Sequence, residues 1–197
     1  AGLGALGRPE GFLARTAQGW AKRAELAWEG TAPLAVQEIL AWLNRNPVRA
    51  AAPVLLHNDY KLDNMILDPE TLAPCALIDW DMGTRGPPLW DLAVLLSYWA
   101  EPGDPPAMRD LEQMPTAEPG FLRRVEIAGR YASLSDRDIS DIRQYRVVAQ
   151  FRLAVVFRQI FRRYRDSGEE NSRAGAFDEL ADGLLSFTMD VMAGHAD

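Results

Sequence analysis

Apolar positions recur along the chain at two different periods, and the change of period divides it. From Glu10 to Trp28, residues Phe12, Leu13, Trp20, Ala24 and Ala27 fall on one side of a helical repeat, which predicts a first helix. Thr31 is the expected cap of a second, with Pro33 in its first turn, Leu34, Ile39, Leu40 and Leu43 turned inward, and an end near Asn46. The pattern then shortens. Val54-Leu55-Leu56, Met65-Ile66-Leu67 and Ala76-Leu77-Ile78 are brief apolar runs bounded by polar residues and read as strands, with Asp68-Pro69-Glu70-Thr71 as a turn. Pro88 or Leu89 opens a segment that is apolar on nearly every side and ends near Trp99, which predicts a helix buried at the centre of the fold. The proline-rich stretch Glu101–Glu118 reads as the longest irregular loop. Ser135 is the expected cap of a long helix from about Asp136 to Arg165. Asn171 or Ser172 precedes a last helix that uses Phe177, Leu180, Leu184 and Phe187.

At 197 residues and 48% hydrophobic content the chain can bury one core, and no second domain is needed. The expected fold class is α+β, mostly α, with a connector over 1–9, helices over 10–50, a small β-hairpin over 53–81 and helices over 88–197. One cysteine, Cys75, leaves no internal disulfide framework or thiolate metal cluster and suits a reducing cytoplasm, the expected location. Two histidines, His57 and His195, are too few for a histidine metal site. The longest apolar run, Leu92–Leu96, falls far short of the roughly 20 residues a membrane span needs, so no membrane partner is expected.

Charge changes the picture through its distribution. The net value is −7, but from Asp59 through Glu112 eleven acids face three basic residues, while from Arg123 through Arg165 eleven arginines face four acids. The acidic zone would attract Mg²⁺ and favour a cationic acceptor. The arginine run reads as solvated helix faces or as a counter-charge within the fold. Nucleic acid is not an expected partner, because the overall sign is wrong and no basic-aromatic module is recognisable.

The acidic zone holds the candidate chemistry. His57-Asn58-Asp59-Tyr60-Lys61-Leu62-Asp63-Asn64 lies between the first two strands, and Ile78-Asp79-Trp80-Asp81 follows the third. The order His-x-Asp-x-x-x-x-Asn, then an Asp after the next strand, is that of a kinase catalytic loop and its metal-binding aspartate. A phosphoryl group in transfer needs its charge neutralised and its attacking and leaving oxygens held in line. Hard oxygen ligands on a hard cation do this, which suits Asn64 and Asp79 as Mg²⁺ ligands. Asp59 then stands beside the metal site as a candidate base, and Lys61 as a cation for the phosphoryl oxygens. His57 reads as orienting the loop through a backbone hydrogen bond, and Asp91 as a cap or anchor, since a buried carboxylate must be satisfied. Asp63 and Asp81 fit either a solvated position or an outer contact to metal.

These residues resemble the aminoglycoside phosphotransferase and choline kinase group, of protein-kinase-like fold. Within it, the likeness is closest to the phosphotransferase-like domains fused to some acyl-CoA dehydrogenases. It is carried by His57 through Asn64, by Ile78 through Asp81, and by Gly86-Pro87-Pro88-Leu89-Trp90-Asp91-Leu92-Ala93, with a weaker likeness in Leu6-Gly7-Arg8-Pro9-Glu10-Gly11-Phe12. Two departures stand out: Asn58 occupies a place where Gly is usual, and Pro87 one where relatives often have Asp. The resemblance implies that Asp59 is the catalytic base, that Asn64 and Asp79 hold Mg²⁺, that ATP is the co-substrate, and that Asp91 anchors the loop. Such kinases also carry a smaller β-rich lobe with a strand lysine for the nucleotide phosphates. Lys22 and Lys61 are the only lysines here, and Lys22 sits in a helical pattern. The chain is therefore expected to be the C-terminal lobe, with the N-terminal lobe absent from it and a small hydroxylated molecule as acceptor. Alone it would be inactive.

Other readings are weaker. Gly2, Gly4 and Gly7 match a dinucleotide fingerprint literally, but no strand precedes them as a phosphate loop requires, so a connector is expected. Asp79-Trp80-Asp81 has the D-x-D form of some phosphatases, yet Gly83 stands where Thr or Val is expected and no lysine follows Lys61. A non-catalytic scaffold of the same fold is the remaining alternative, against which the intact Asp59, Asn64 and Asp79 argue.

Overall fold

The computed structural model describes residues 2–167 and 172–196, so a cap at Asn171 lies outside the described residues. Besides three short 3₁₀ turns, eleven α-helices and strands follow in order among them: α1 (Phe12–Ala27), α2 (Leu34–Arg45), β1 (Val54–Leu56), β2 (Met65–Leu67), β3 (Pro74–Leu77), β4 (Thr84–Gly86), α3 (Leu89–Tyr98), α4 (Pro106–Arg109), α5 (Arg124–Ser135), α6 (Ile142–Ser167) and α7 (Ser172–Ala193). The class is α+β and mostly helical, with two small antiparallel sheets.

Helix α6 is the axle of the fold, and α1, α3 and α7 all pack on it. Its residues divide between two clusters, which explains why a long helix is apolar on so much of its circumference. Val147, Phe151, Ala154 and Val155 join Ile39 of α2 and Leu184 of α7. Tyr145, Val148 and Ala149 join Leu13 and Ala17 of α1, Leu56 of β1, and Trp90, Ala93 and Val94 of α3. Burial of α3 on nearly all sides matches the sequence pattern.

A hairpin forms within the expected 53–81 segment, but it joins β2 to β3 around the turn at Asp68 and does not carry the loop at Asp59. β1 pairs with β4, in the register Val54–Gly86 to Leu56–Thr84, and β2 pairs with β3. The strands flanking the loop at Asp59 therefore belong to different sheets. β4 escaped the sequence reading because Thr84-Arg85-Gly86 contains no apolar residue; it is a strand through its ladder to β1. Gly86 is required there, since a Cβ would lie 2.7 Å from Leu56 Cδ1 and 2.8 Å from the Phe12 ring.

Other boundaries shift for local reasons. α1 starts after Gly11, which sits at φ 60° in the left-handed region. α2 is preceded by Pro33 in extended conformation, with no side-chain cap, so Thr31 does not cap it. Ser135 ends α5 instead of capping α6: Asp136 turns left-handed at φ 53°, and the long helix begins at Ile142. α5 was hidden in the sequence because Val125 and Leu134 are exposed and blur its apolar stripe. The Glu101–Glu118 stretch holds the short α4. The segment expected as a connector is docked at Gly4, whose carbonyl accepts from Arg85, and at Gly7, where a Cβ would run into Thr84 Oγ1. No described helix is long and apolar enough to cross a membrane.

Candidate active site

β1 delivers the chain to a loop that hangs from α3. Asp91, in the first turn of that helix, accepts the N–H of His57 at 2.7 Å on Oδ2 and that of Asn58 at 2.8 Å on Oδ1. The anchor role is thus made by two backbone bonds, each charge-assisted. Burial raises the proton affinity of Asp91, and these two donors oppose the shift.

Asn58 stands at φ 66°. Gly is free in that region and Asn is among the few side chains that tolerate it, which accounts for the departure at this position. The side chain adds bonds that Gly lacks. Oδ1 accepts from Trp90 Nε1 at 2.6 Å, and Nδ2 donates to Met82 O at 3.2 Å.

His57 is 1% exposed and joins the two halves of the motif. Nδ1 faces the N–H of Asp59 at 3.3 Å and so must accept, which leaves Nε2 to donate to Ile78 O at 2.7 Å. Asn64 closes the loop from the other end of a 3₁₀ turn, Leu62–Asn64. Its Nδ2 donates to Asp59 O at 2.8 Å and lies 3.3 Å from Asp59 Oδ2, while its carbonyl accepts from Ile78 N–H at 2.9 Å. Ile78 is thereby held by both His57 and Asn64. The next residue, Asp79, turns left-handed at φ 62° and opens a 3₁₀ turn, Trp80–Met82.

The Asp59 carboxylate is the centre of a small charge cluster. Lys61 Nζ lies 3.5 Å from Oδ2, Arg152 Nη2 3.8 Å from Oδ1, and the Tyr98 hydroxyl 3.5 Å from Oδ1. Lys61 also stands 5.3 Å from the centre of the Tyr98 ring. Burial and the neighbouring carboxylate push the Tyr98 hydroxyl up to about 12, with Arg152 opposing, so it stays a proton donor toward Asp59 at neutral pH.

Of the residues singled out from the sequence, Asp59, Lys61 and Asn64 are thus in mutual contact. Asp79 is not bonded to them; it follows Ile78, and its carboxylate is exposed. Asp63 and Asp81 are also exposed. Arg152 and Tyr98 were missed. A signal for Arg152 existed: with Val148 and Val155 it shares the buried stripe of α6, an unusual place for an arginine.

The donor set fits magnesium better than a softer ion. Among the described residues no group of three or more His, Cys, Asp or Glu side chains has metal-binding geometry. Asn64 has its amide nitrogen committed to Asp59, which leaves Oδ1 for a ligand, and Asp79 offers a carboxylate. Two hard oxygen donors leave room for water and phosphate oxygens, as Mg²⁺ requires.

Comparison with known proteins places the chain in one family. The family described as "Phosphotransferase enzyme family" (APH) matches residues 1–125. Acyl-CoA dehydrogenase family member 10 of Mus musculus is 23% identical over 189 residues, 95% of this chain and 18% of that protein. Acyl-CoA dehydrogenase family member 11 of Rattus norvegicus is 28% identical over 166 residues, 83% of this chain and 21% of its own length. The chain therefore spans about a fifth of these relatives. A crystal structure from Ralstonia eutropha JMP134, described as a candidate aminoglycoside phosphotransferase, superposes with a TM-score of 0.79 at 24% identity, over all of this chain and 59% of that one. At that identity the likeness concerns the fold.

Proposed function

Because the chain belongs to the phosphotransferase enzyme family, we propose that it is the catalytic-loop lobe of an ATP- and Mg²⁺-dependent O-phosphotransferase acting on the hydroxyl of a small molecule. The observation that carries this reading is the loop itself. Asp59, Lys61 and Asn64 touch one another, and His57 and Asn64 both bond to the residue before Asp79.

In this reading Asp59 orients the acceptor hydroxyl and takes up its proton as the oxygen attacks. The bond from Asn64 Nδ2 fixes the Asp59 carbonyl, so the carboxylate is aimed by the backbone behind it. Lys61, held at the Tyr98 ring, balances charge on the phosphoryl oxygens. Asn64 and Asp79 would hold Mg²⁺, which when bound neutralises charge on the nucleotide phosphates. A positively charged acceptor is the variant favoured by the acidic zone around the loop. The lobe assignment is supported by what precedes β1: α1 and α2 are helices, and Lys22 lies on α1 and not on a strand. The strand lysine would then come from a second lobe, and the protein would act in the cytoplasm.

Asp79→Ala in the full-length protein tests the reading. Asp79 is exposed, so the fold should survive with at most about 1–2 kcal/mol lost to an alanine in its left-handed backbone, while Mg²⁺-dependent nucleotide turnover is lost. Turnover at the wild-type rate would remove Asp79 from the site.

A further inference from the structure

We propose that Arg152 is a positioning residue, which sets Asp59 in register with the turn that follows Asp79; the inference rests on the phosphotransferase reading of Asp59. Arg152 lies midway along α6 and is 8% exposed. A guanidinium that far from water must be paired and hydrogen-bonded to offset its desolvation. Among the described residues its ion-pair partner is Asp59, 3.8 Å away.

The geometry is that of a support. Nη1 donates to the Asn58 carbonyl at 2.8 Å, a true hydrogen bond, whereas Nη2 stays at 3.8 Å from Asp59 Oδ1. The strong contact therefore goes to the peptide before Asp59. The carboxylate feels the positive charge without giving Arg152 a close hydrogen bond, and its remaining contacts, from Asn64, Lys61 and Tyr98, are all 3.3 Å or longer. Nη2 is also 3.9 Å from Met82 Sδ, at the end of the Trp80–Met82 turn. On the far side the guanidinium faces the Trp20 ring, 5.9 Å to its centre, so α1 backs it.

Asn58 shows why such a support is needed. Asn tolerates its left-handed backbone, yet the peptide that carries Asp59 still has to be held in one orientation. Asp91 holds its N–H, Arg152 its carbonyl, and Trp90 and Met82 its side chain. Arg152 is the one of these that also reaches the Asp59 carboxylate. A planar fork can serve both positions at once, which a lysine ammonium cannot.

The test is a double-mutant cycle on turnover by the full-length protein, with Arg152→Met, Asp59→Asn and the pair, and Arg152→Lys in parallel. Asp59→Asn should lower kcat by about 10²–10⁴, the usual worth of general-base assistance. Arg152→Met should lower kcat by about tenfold or more with nucleotide KM little changed, and should cost almost nothing further in the Asp59→Asn background, because it acts through Asp59. Arg152→Lys, which keeps the charge, should recover part of the loss. Equal losses from Arg152→Met in both backgrounds, or a loss confined to nucleotide KM, would overturn the proposal. If a thermal melt shows Arg152→Met unfolded, the same cycle is read on Arg152→Lys, with the same two outcomes. Asp59→Asn at the wild-type rate would sink the phosphotransferase reading itself, a result recognisable without any Arg152 variant.

Discussion

Asn58, Asp59 and Asp91 form one unit, in which Asp91 holds the N–H of a left-handed Asn58 and so fixes the backbone next to Asp59. The unit has a pH signature. Burial gives Asp91 a higher proton affinity in the folded protein than in the unfolded chain, the N–H groups of His57 and Asn58 pulling the other way. A raised carboxyl pKa means that the native state binds the proton more tightly. Asp91 thus contributes stability that is complete below about pH 4 and is lost as pH rises through the raised value. Asp91→Asn removes that titration and leaves one loop N–H facing an amide, at a cost of about 1–3 kcal/mol. In urea titrations over this range, the advantage of wild type over the variant should shrink as pH rises. A pH-independent difference would place the titration elsewhere.

At the scale of elements, the loop at Asp59 owes little to its own strands, which are three residues long and lie in separate sheets. It is fastened to helices, α3 through Asp91 and Trp90 and α6 through Arg152. α5 is fastened in a comparable way. Arg124, 3% exposed at the start of α5, forms a fork with Asp104 at 2.6 and 2.7 Å and donates to Trp99 O at 2.8 Å. This joins the end of α3 to α5 across the proline-rich loop. Arg124→Met would leave Asp104 as a buried carboxylate without its partner, and breaking such a pair costs about 3–5 kcal/mol. Denaturant unfolding should register that loss. A variant within 1 kcal/mol of wild type, roughly the worth of an exposed pair, would mean that Asp104 finds water instead.

For the whole molecule, the consequence of the proposed lobe assignment is a division of labour. This chain would aim the acceptor and hold Mg²⁺, and a second lobe would grip the nucleotide. The 197-residue chain by itself should then bind Mg²⁺–ATP poorly and transfer no phosphoryl group. Calorimetric titration is the check, and micromolar affinity for this chain alone would refute the division.

The sequence by itself determined the family and the spacing of the candidate site residues. Spacing is preserved in any fold, so Asp59, Lys61, Asn64 and Asp79 could be read as a phosphoryl-transfer motif, and β1, β2 and the buried α3 followed from their apolar runs. Asp91 was legible as an anchor because a carboxylate at the head of an apolar helix needs a partner, though not which one. Tertiary structure alone decided the partners. The pairing of β1 with β4 depends on a strand with no apolar residue, the start of α6 depends on a left-handed Asp136, and Arg152 reaches Asn58 across 94 positions. Apolar periodicity records which faces are buried. It does not record which buried groups meet, because that is set by how the helices cross.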